Sequence, residues 1–262
     1  RRQRQMCIRD RGVFGGVRIG IVGFLTQYIP HWEKPSIIKD LTFESILTTA
    51  KDILPDLRQS VDLLIVAYHG GFERDLQTGL PTESLTGENE AYQLVEEYKD
   101  YIDALVTGHQ HREIADHLFG VPVIQPGYRG AFVGEIELEL DNHKKVVASN
   151  ARLHKTENCK VSSEVNQLIS VASEEAEDWL DQPMGEVHGE MIIRDPMTAR
   201  LIEHPYIELI NKIQMEATGT EISGTALFNN KAKGFAKEIT MRSILTLSLI
   251  HISEPTRLDV SS

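Results

Sequence analysis

The sequence predicts an α/β fold of short buried strands alternating with amphipathic helices. Three observations carry that expectation. Val17–Leu25 (VRIGIVGFL), Val61–Gly71 (VDLLIVAYHGG) and Val121–Gly127 (VPVIQPG) are nearly continuous apolar runs, the pattern of strands covered on both faces. Between the first two, Thr42–Gln59 sets Ile46, Leu47, Ala50, Ile53, Leu54 and Leu57 at helical spacing. Glu88–Asp100 then supplies a further helix before another strand, Ile102–His111 (IDALVTGHQH).

The remaining elements follow in order. Pro55 is expected to kink or end the first helix, because it removes an intrahelical hydrogen bond. Ala131–Asp141 alternates, with Ile136, Leu138 and Leu140 against Glu135, Glu137 and Glu139, so it reads as a half-exposed antiparallel edge strand. Past Lys155 the pattern changes. Ser162–Gln182 is a long amphipathic helix with a serine cap and an acidic outer face. Pro183–Met191 breaks it, His204–Gly219 is another helix, and Ile222–Asn230 is strand-like. The division expected is a partial α/β domain over residues 12–155, a linker helix over 156–185 and the start of a second domain over 186–246.

The two ends stand apart. Residues 1–11 and 247–262 read as in-frame translations of sequencing-adapter ends, and they are set aside from fold reasoning. Without them Lys plus Arg falls from 27 to 21 and Asp plus Glu from 39 to 36, moving the net charge from −12 to −15. So acidic a chain repels polyanions, which excludes a nucleic-acid polymer as partner and leaves phosphate to local sites. Of the two cysteines, Cys7 lies in the set-aside segment and Cys159 is alone, which excludes a disulfide framework and a cysteine-based zinc site. No apolar run is long enough to span a membrane as a helix.

The chemistry-bearing residues gather where buried strands end. One strand ends in His69-Gly70-Gly71 and another in Gly108-His109-Gln110-His111. Ligands of open α/β sheets bind beyond the carboxyl ends of the strands. Neutral imidazole suits zinc, manganese or iron, and a period of two in extended backbone points His109 and His111 the same way. Gly70, Gly71 and Gly108 are expected to clear space for a metal or phosphate. A lone H-x-H is ordinarily two surface histidines; two histidine motifs at strand ends, each flanked by glycine, point to a metal site. A hydrolytic site also needs carboxylates, and neither Asp75 in a polar loop nor Asp103 inside a strand is a convincing bridge. Trp32 and Trp179 read as packing residues, and His117, His143, His154 and His188 as solvated.

The order His-Gly-Gly, GENEAYQL (Gly87–Leu94), GHQH (Gly108–His111) and VIQPG (Val123–Gly127) resembles the calcineurin-like metallophosphoesterases. Within them it is similar to the bacterial 5′-nucleotidase and 2′,3′-cyclic-nucleotide 2′-phosphodiesterase/3′-nucleotidase group. GFLTQYIPHWEKP (Gly23–Pro35) and Ile222–Leu245 extend the resemblance over nearly all of Gly12–Leu245. It implies the C-terminal half of a layered β-sandwich with flanking helices, a linker helix and the start of an α/β substrate domain. It implies two divalent ions, zinc, manganese or similar, with His69 and His109 as ligands of one and His111 of the other. The family's upstream motifs, D-x-H, G-D-x-x-D and G-N-H-[DE], do not occur here. The catalytic histidine is therefore expected upstream, and the 262-residue chain is expected to be inactive alone.

The reaction implied for the parent protein is in-line hydrolysis of nucleotide phosphoesters by metal-activated water. Asn229, Asn230 and Arg200 are the implied nucleotide-binding residues. Phe228 or Phe235 could stack a base, although burial in a core is the commoner role. Lys231 and Lys233 stand where the 5′-nucleotidase branch carries an arginine, which leaves the cyclic-phosphodiesterase reading open. An extracytoplasmic location is implied as well. The alternatives are a non-catalytic binding module on the same fold and a metal-dependent amidohydrolase, whose H-x-H would open a (β/α)8 barrel.

Overall fold

The computed structural model describes residues 9–227, 230 and 232–252. The chain divides into two compact units, Arg1–Lys160 and Val161–Ser262.

The first unit opens on a hairpin. β1 (Arg9–Phe14) turns into β2 (Val17–Leu25) through Gly15 and Gly16, whose φ of 56° and 81° are what a two-residue turn with left-handed backbone requires. There follow α1 (Pro35–Ile38), α2 (Ile46–Ser60), β3 (Leu63–His69), α3 (Ala91–Tyr98), β4 (Ala104–Thr107), β5 (Glu113–Leu118) and β6 (Val121–Pro126). These strands form one six-stranded sheet in the order β1-β2-β3-β4-β6-β5. The four central strands are parallel, and β1 and β5 close the two edges antiparallel. An open sheet with antiparallel edges is not a (β/α)8 barrel, which removes the structural basis for the amidohydrolase alternative. β7 (Phe132–Leu140) and β8 (Val146–Lys155) make a separate antiparallel hairpin.

Burial alternates along β2 and most of β3, whereas β6 is buried from Val121 to Gln125. Val22, Val66, Leu105 and Val123 are level across the sheet, and all are 0% exposed under Ile53, Leu54, Leu94 and Val95 of the two helices. On the opposite face Ile21 and Val106 remain exposed. Pro55 does not end α2, which runs on to Ser60. Asp103 accepts from Arg58 of α2 and from the Leu64 amide, so it joins helix to strand. Asp75 accepts from the Gln77 and Thr78 amides in a local turn. Both carboxylates have structural employment.

The second unit contains α4 (Ser163–Leu180), β9 (Pro183–Glu186), β10 (Met191–Ile192), α5 (Thr198–Leu201), α6 (Pro205–Thr218), β11 (Gly234–Phe235), β12 (Glu238–Thr240) and α7 (Met241–Ile252). Ser162 caps α4 by accepting from the Val165 amide, as its position predicts. β10 pairs with β11 and β12 with β9. A small core joins Val187, Ile193, Ala199, Tyr206, Leu227 and Phe235. Phe235 is thus a core residue, while Phe228 lies outside the described residues. The strand-like run from Ile222 forms no strand over residues 222–227, because no neighbouring strand pairs with it. Among the described residues no helix is long and apolar enough to cross a membrane.

Candidate histidine site at the strand ends

Parallel pairing of β3 and β4 sends both following loops off the same edge of the sheet. The ladder continues one step beyond the strands, with the Gly108 amide donating to the Gly70 carbonyl at 3.2 Å. That bond brings the loop after β4 against His69, and the His69 and His109 rings lie 5.5 Å apart.

The loop itself is held in an uncommon conformation. His109 and His111 have φ of 67° and 58°, left-handed backbone that favours glycine and costs a side-chain-bearing residue about 1–2 kcal/mol. Gln110, between them, supplies the restraint. Its Oε1 accepts from the Phe72 amide at 2.9 Å, and its Nε2 donates to the Phe72 carbonyl and to Glu83 Oε2, each at 3.0 Å. Asn89 does the same for the other loop, accepting from the Gly71 amide at 2.6 Å and donating to Glu83 Oε1 at 2.8 Å. A Cβ on Gly71 would sit 2.1 Å from Gln110 Oε1, and one on Gly70 would sit 2.0 Å from the Tyr68 ring. These two glycines therefore make room for Gln110 and Tyr68, not for an open phosphate or metal position. A Cβ on Gly108 would reach only ordinary contact with His69 Nδ1 at 3.5 Å.

One carboxylate, from the segment before α3, reaches the histidines, and two further glutamates lie behind it near α3. Glu88 Oε1 lies 2.8 Å from His109 Nε2. Glu73, 4% exposed, accepts from the Tyr92 and Gln93 amides and so caps the first turn of α3. Glu90 accepts from Gln27 Nε2 at 3.1 Å; burial, then the nearby Glu73 and Glu97 charges, push its pKa up to about 7. The His69 pKa is lowered by burial and then by His109 and His111, which keeps its imidazole neutral at neutral pH.

The structure brings His69 and His109 together. His111 faces Tyr128, with ring centroids 5.3 Å apart, yet still acts electrostatically on His69. Imidazoles with a carboxylate beside them are suitable donors for a divalent cation. Their number falls short: among the described residues no group of three or more His, Cys, Asp or Glu is placed to hold a metal ion. The residues fit as part of a ligand set.

In the second unit Arg200 Nη1 donates to Asn230 Oδ1 at 2.8 Å, while Nε and Nη2 donate to the Leu227 carbonyl at 3.2 and 2.7 Å. Those two expected substrate residues are in contact; Asn229 lies outside the described residues. Arg200 borders a cleft of about 740 Å³ that also presents His204, Asn211, Lys212 and Glu221.

Sequence reasoning gives no role to Glu88, Asn89 and Gln110, and reads Trp32 as a packing residue. The Trp32 ring lies 5.5 Å from His109, at the site rather than in the core, and Trp179 is 46% exposed. GENEAYQL carried Glu88 and Asn89 as part of a motif, but nothing in it distinguishes which side chain turns toward the histidines.

No family model matches the chain. It is 23% identical over 242 residues to a trifunctional nucleotide phosphoesterase of Bacillus subtilis, covering 85% of this chain and 16% of that protein. It is 30% identical over 141 residues to a 2′,3′-cyclic-nucleotide 2′-phosphodiesterase/3′-nucleotidase of Salmonella typhimurium, covering 48% of this chain and 21% of that protein. A solved Staphylococcus aureus protein assigned as a 5′-nucleotidase, in complex with α-ketoglutarate, superposes with a TM-score of 0.79 at 36% identity. That match covers 90% of this chain and 46% of the solved one. The chain therefore spans less than half the length of each of these relatives.

Proposed function

We propose that this chain, which belongs to the family of bacterial 5′-nucleotidases and 2′,3′-cyclic-nucleotide 2′-phosphodiesterase/3′-nucleotidases, contributes half of a dinuclear site for hydrolysing nucleotide phosphoesters. The observation that carries this is the His69–His109 pair at adjacent strand ends, 5.5 Å apart and locked by Gln110. His69 and His109 would hold one divalent ion, zinc or manganese, and His111 a second. When bound, the ions neutralise phosphoryl oxygens and lower the pKa of water.

The chain's own residues prepare that position. His69 offers a neutral lone pair, Glu88 orients the His109 ring, and the Gln110 and Asn89 clamps fix both loops. No residue of the chain is assigned as the general acid. Residues 12–155 form the metal-binding part, 156–185 a linker, and 186–246 the opening of the nucleotide-binding part, where Arg200, Asn229 and Asn230 meet the substrate. The substrate is a nucleotide, not a nucleic-acid polymer, and the location is extracytoplasmic.

Zinc titration by calorimetry tests this. The 262-residue chain should bind zinc, and His109→Ala should weaken binding by roughly 10-fold or more, while 2′,3′-cyclic AMP is not turned over. Zinc binding indifferent to His109→Ala would remove the site. Turnover lost in His109→Ala would overturn the half-site reading and make the chain an enzyme by itself.

A further inference from the structure

Glu83 joins the two clamps that hold the histidine loops. Its Oε1 accepts from Asn89 Nδ2 at 2.8 Å and its Oε2 from Gln110 Nε2 at 3.0 Å. Asn89, 5% exposed, belongs to the segment before α3, whereas Gln110 lies between His109 and His111 in the loop after β4. The backbone brings Glu83 within reach of both. Arg74 and Pro81 form an isolated antiparallel bridge, and the Thr82 amide donates to the Glu73 carbonyl at 3.0 Å. The residue before Glu83 is thus tied to the loop that follows His69. Glu83 itself is exposed, so no demand of the core explains a carboxylate there.

The direction of the bonds gives Glu83 its role. A side-chain amide has an accepting end and a donating end of nearly the same size, so shape alone does not decide which way it faces. Here the partners decide. Backbone N–H groups only donate, and those of Gly71 and Phe72 reach Asn89 Oδ1 at 2.6 Å and Gln110 Oε1 at 2.9 Å. A carboxylate only accepts. Glu83 therefore draws the NH2 ends of both side chains to itself and turns their oxygens toward the loop after β3. The other N–H of Gln110 goes to the Phe72 carbonyl at 3.0 Å, so both of its hydrogens are used. Were either amide reversed, its NH2 would face a backbone N–H and its oxygen would face the carboxylate, replacing two bonds by two repulsions.

We propose that Glu83 is a positioning residue for the histidine site: by accepting from Asn89 and Gln110 together it fixes the direction of both amides, and through them the approach of His69 to His109. The proposal rests on the metal-site reading above and deepens it, since it makes metal affinity depend on a carboxylate outside the ligand set.

The test exchanges donor and acceptor while keeping shape. In the full 262-residue chain, Glu83→Gln sets an NH2 against one of the two amides that already donate, so one bond is lost. Zinc affinity, measured by calorimetry well below each variant's melting temperature, should fall about 10-fold. Adding Asn89→Asp reverses the broken bond: the new amide at 83 donates to the new carboxylate at 89, which still accepts from the Gly71 amide, and affinity should return to the parent value. Adding Gln110→Glu instead restores the same charge but sets a carboxylate against the Phe72 carbonyl, and affinity should stay low. Full affinity in Glu83→Gln would overturn the positioning role and leave the metal site standing. Recovery in both double variants would overturn it too, because charge alone would then explain the loss, and so would failure of Asn89→Asp to restore binding. A parent chain that binds no zinc would overturn the site itself, and the role of Glu83 with it.

Discussion

The two units bury apolar surface to different depths, and the candidate residues divide between them. In the first, Leu54, Leu64, Val66, Leu94, Leu105 and Val123 are all 0% exposed. In the second, the most buried apolar residues, Tyr206 and Phe235, retain 4% and 5%, and α4 buries no residue at all. The cause is sheet size. A six-stranded sheet can shelter a layer under two helices, whereas two-stranded ladders cannot. The histidines therefore stand on the edge of a well-packed layer, while the Arg200–Asn230 pair stands on a lightly packed frame that opens at lower free energy. Precision in this chain belongs to the first unit.

The strongest way to break that contrast is to empty a core position in each unit. Leu105→Ala should destabilise the first unit by about 2–5 kcal/mol, and Val187→Ala should lower the second by much less. Trp32 and Trp179 report one unit each, so urea unfolding of single-tryptophan variants separates the two responses. Coincident midpoints for both tryptophans in the parent chain would erase the distinction. Next in size is Gln110→Ala, which leaves the Phe72 amide and carbonyl without their side-chain partner. It should cost about 1–3 kcal/mol and weaken zinc binding, read as a lower melting temperature and a weaker calorimetric affinity. A variant that melts normally would show that the loop needs no clamp. Ser162→Ala should cost about 1 kcal/mol, confined to the Trp179 transition, since the cap serves only α4.

The smallest expected effect concerns pH. The Glu90 carboxyl titrates at about 7 in the fold against an ordinary 4.5. A carboxyl raised on folding favours the folded state fully below its unfolded pKa, and that contribution is lost as pH rises from about 4.5 through about 7. Glu90→Gln should therefore flatten the decline in melting temperature between those limits, measured by a thermal series. Solvent access to Glu90 keeps the change slight. An unchanged slope would assign the pH dependence to other groups.

Much of the first unit was legible because its central strands are covered on one or both faces, and continuous apolar runs report that directly. β5 and β8 escaped notice. Their side chains are mixed in burial, and in isolation Glu113–Leu118 carries too little apolar signal to mark a strand. The opening strand begins at Arg9, where Arg9, Asp10 and Arg11 carry no apolar signal. Histidines at strand ends could be read from the order of apolar run, glycine and histidine. Their supports could not: Glu88, Asn89, Gln110 and Trp32 come from three separate loops, and their convergence is a property of the sheet. The glycines show the same limit. A need for room was readable at Gly70 and Gly71, but that Tyr68 and Gln110 fill the room was not.

The left-handed backbone at His109 and His111 has a consequence for directed evolution. Glycine or asparagine would relieve both positions, so a screen that rewards thermal survival alone should drive residues 109 and 111 toward those two types. The population would gain robustness while discarding imidazole, and only a second, ligand-dependent round of selection would hold the histidines in place.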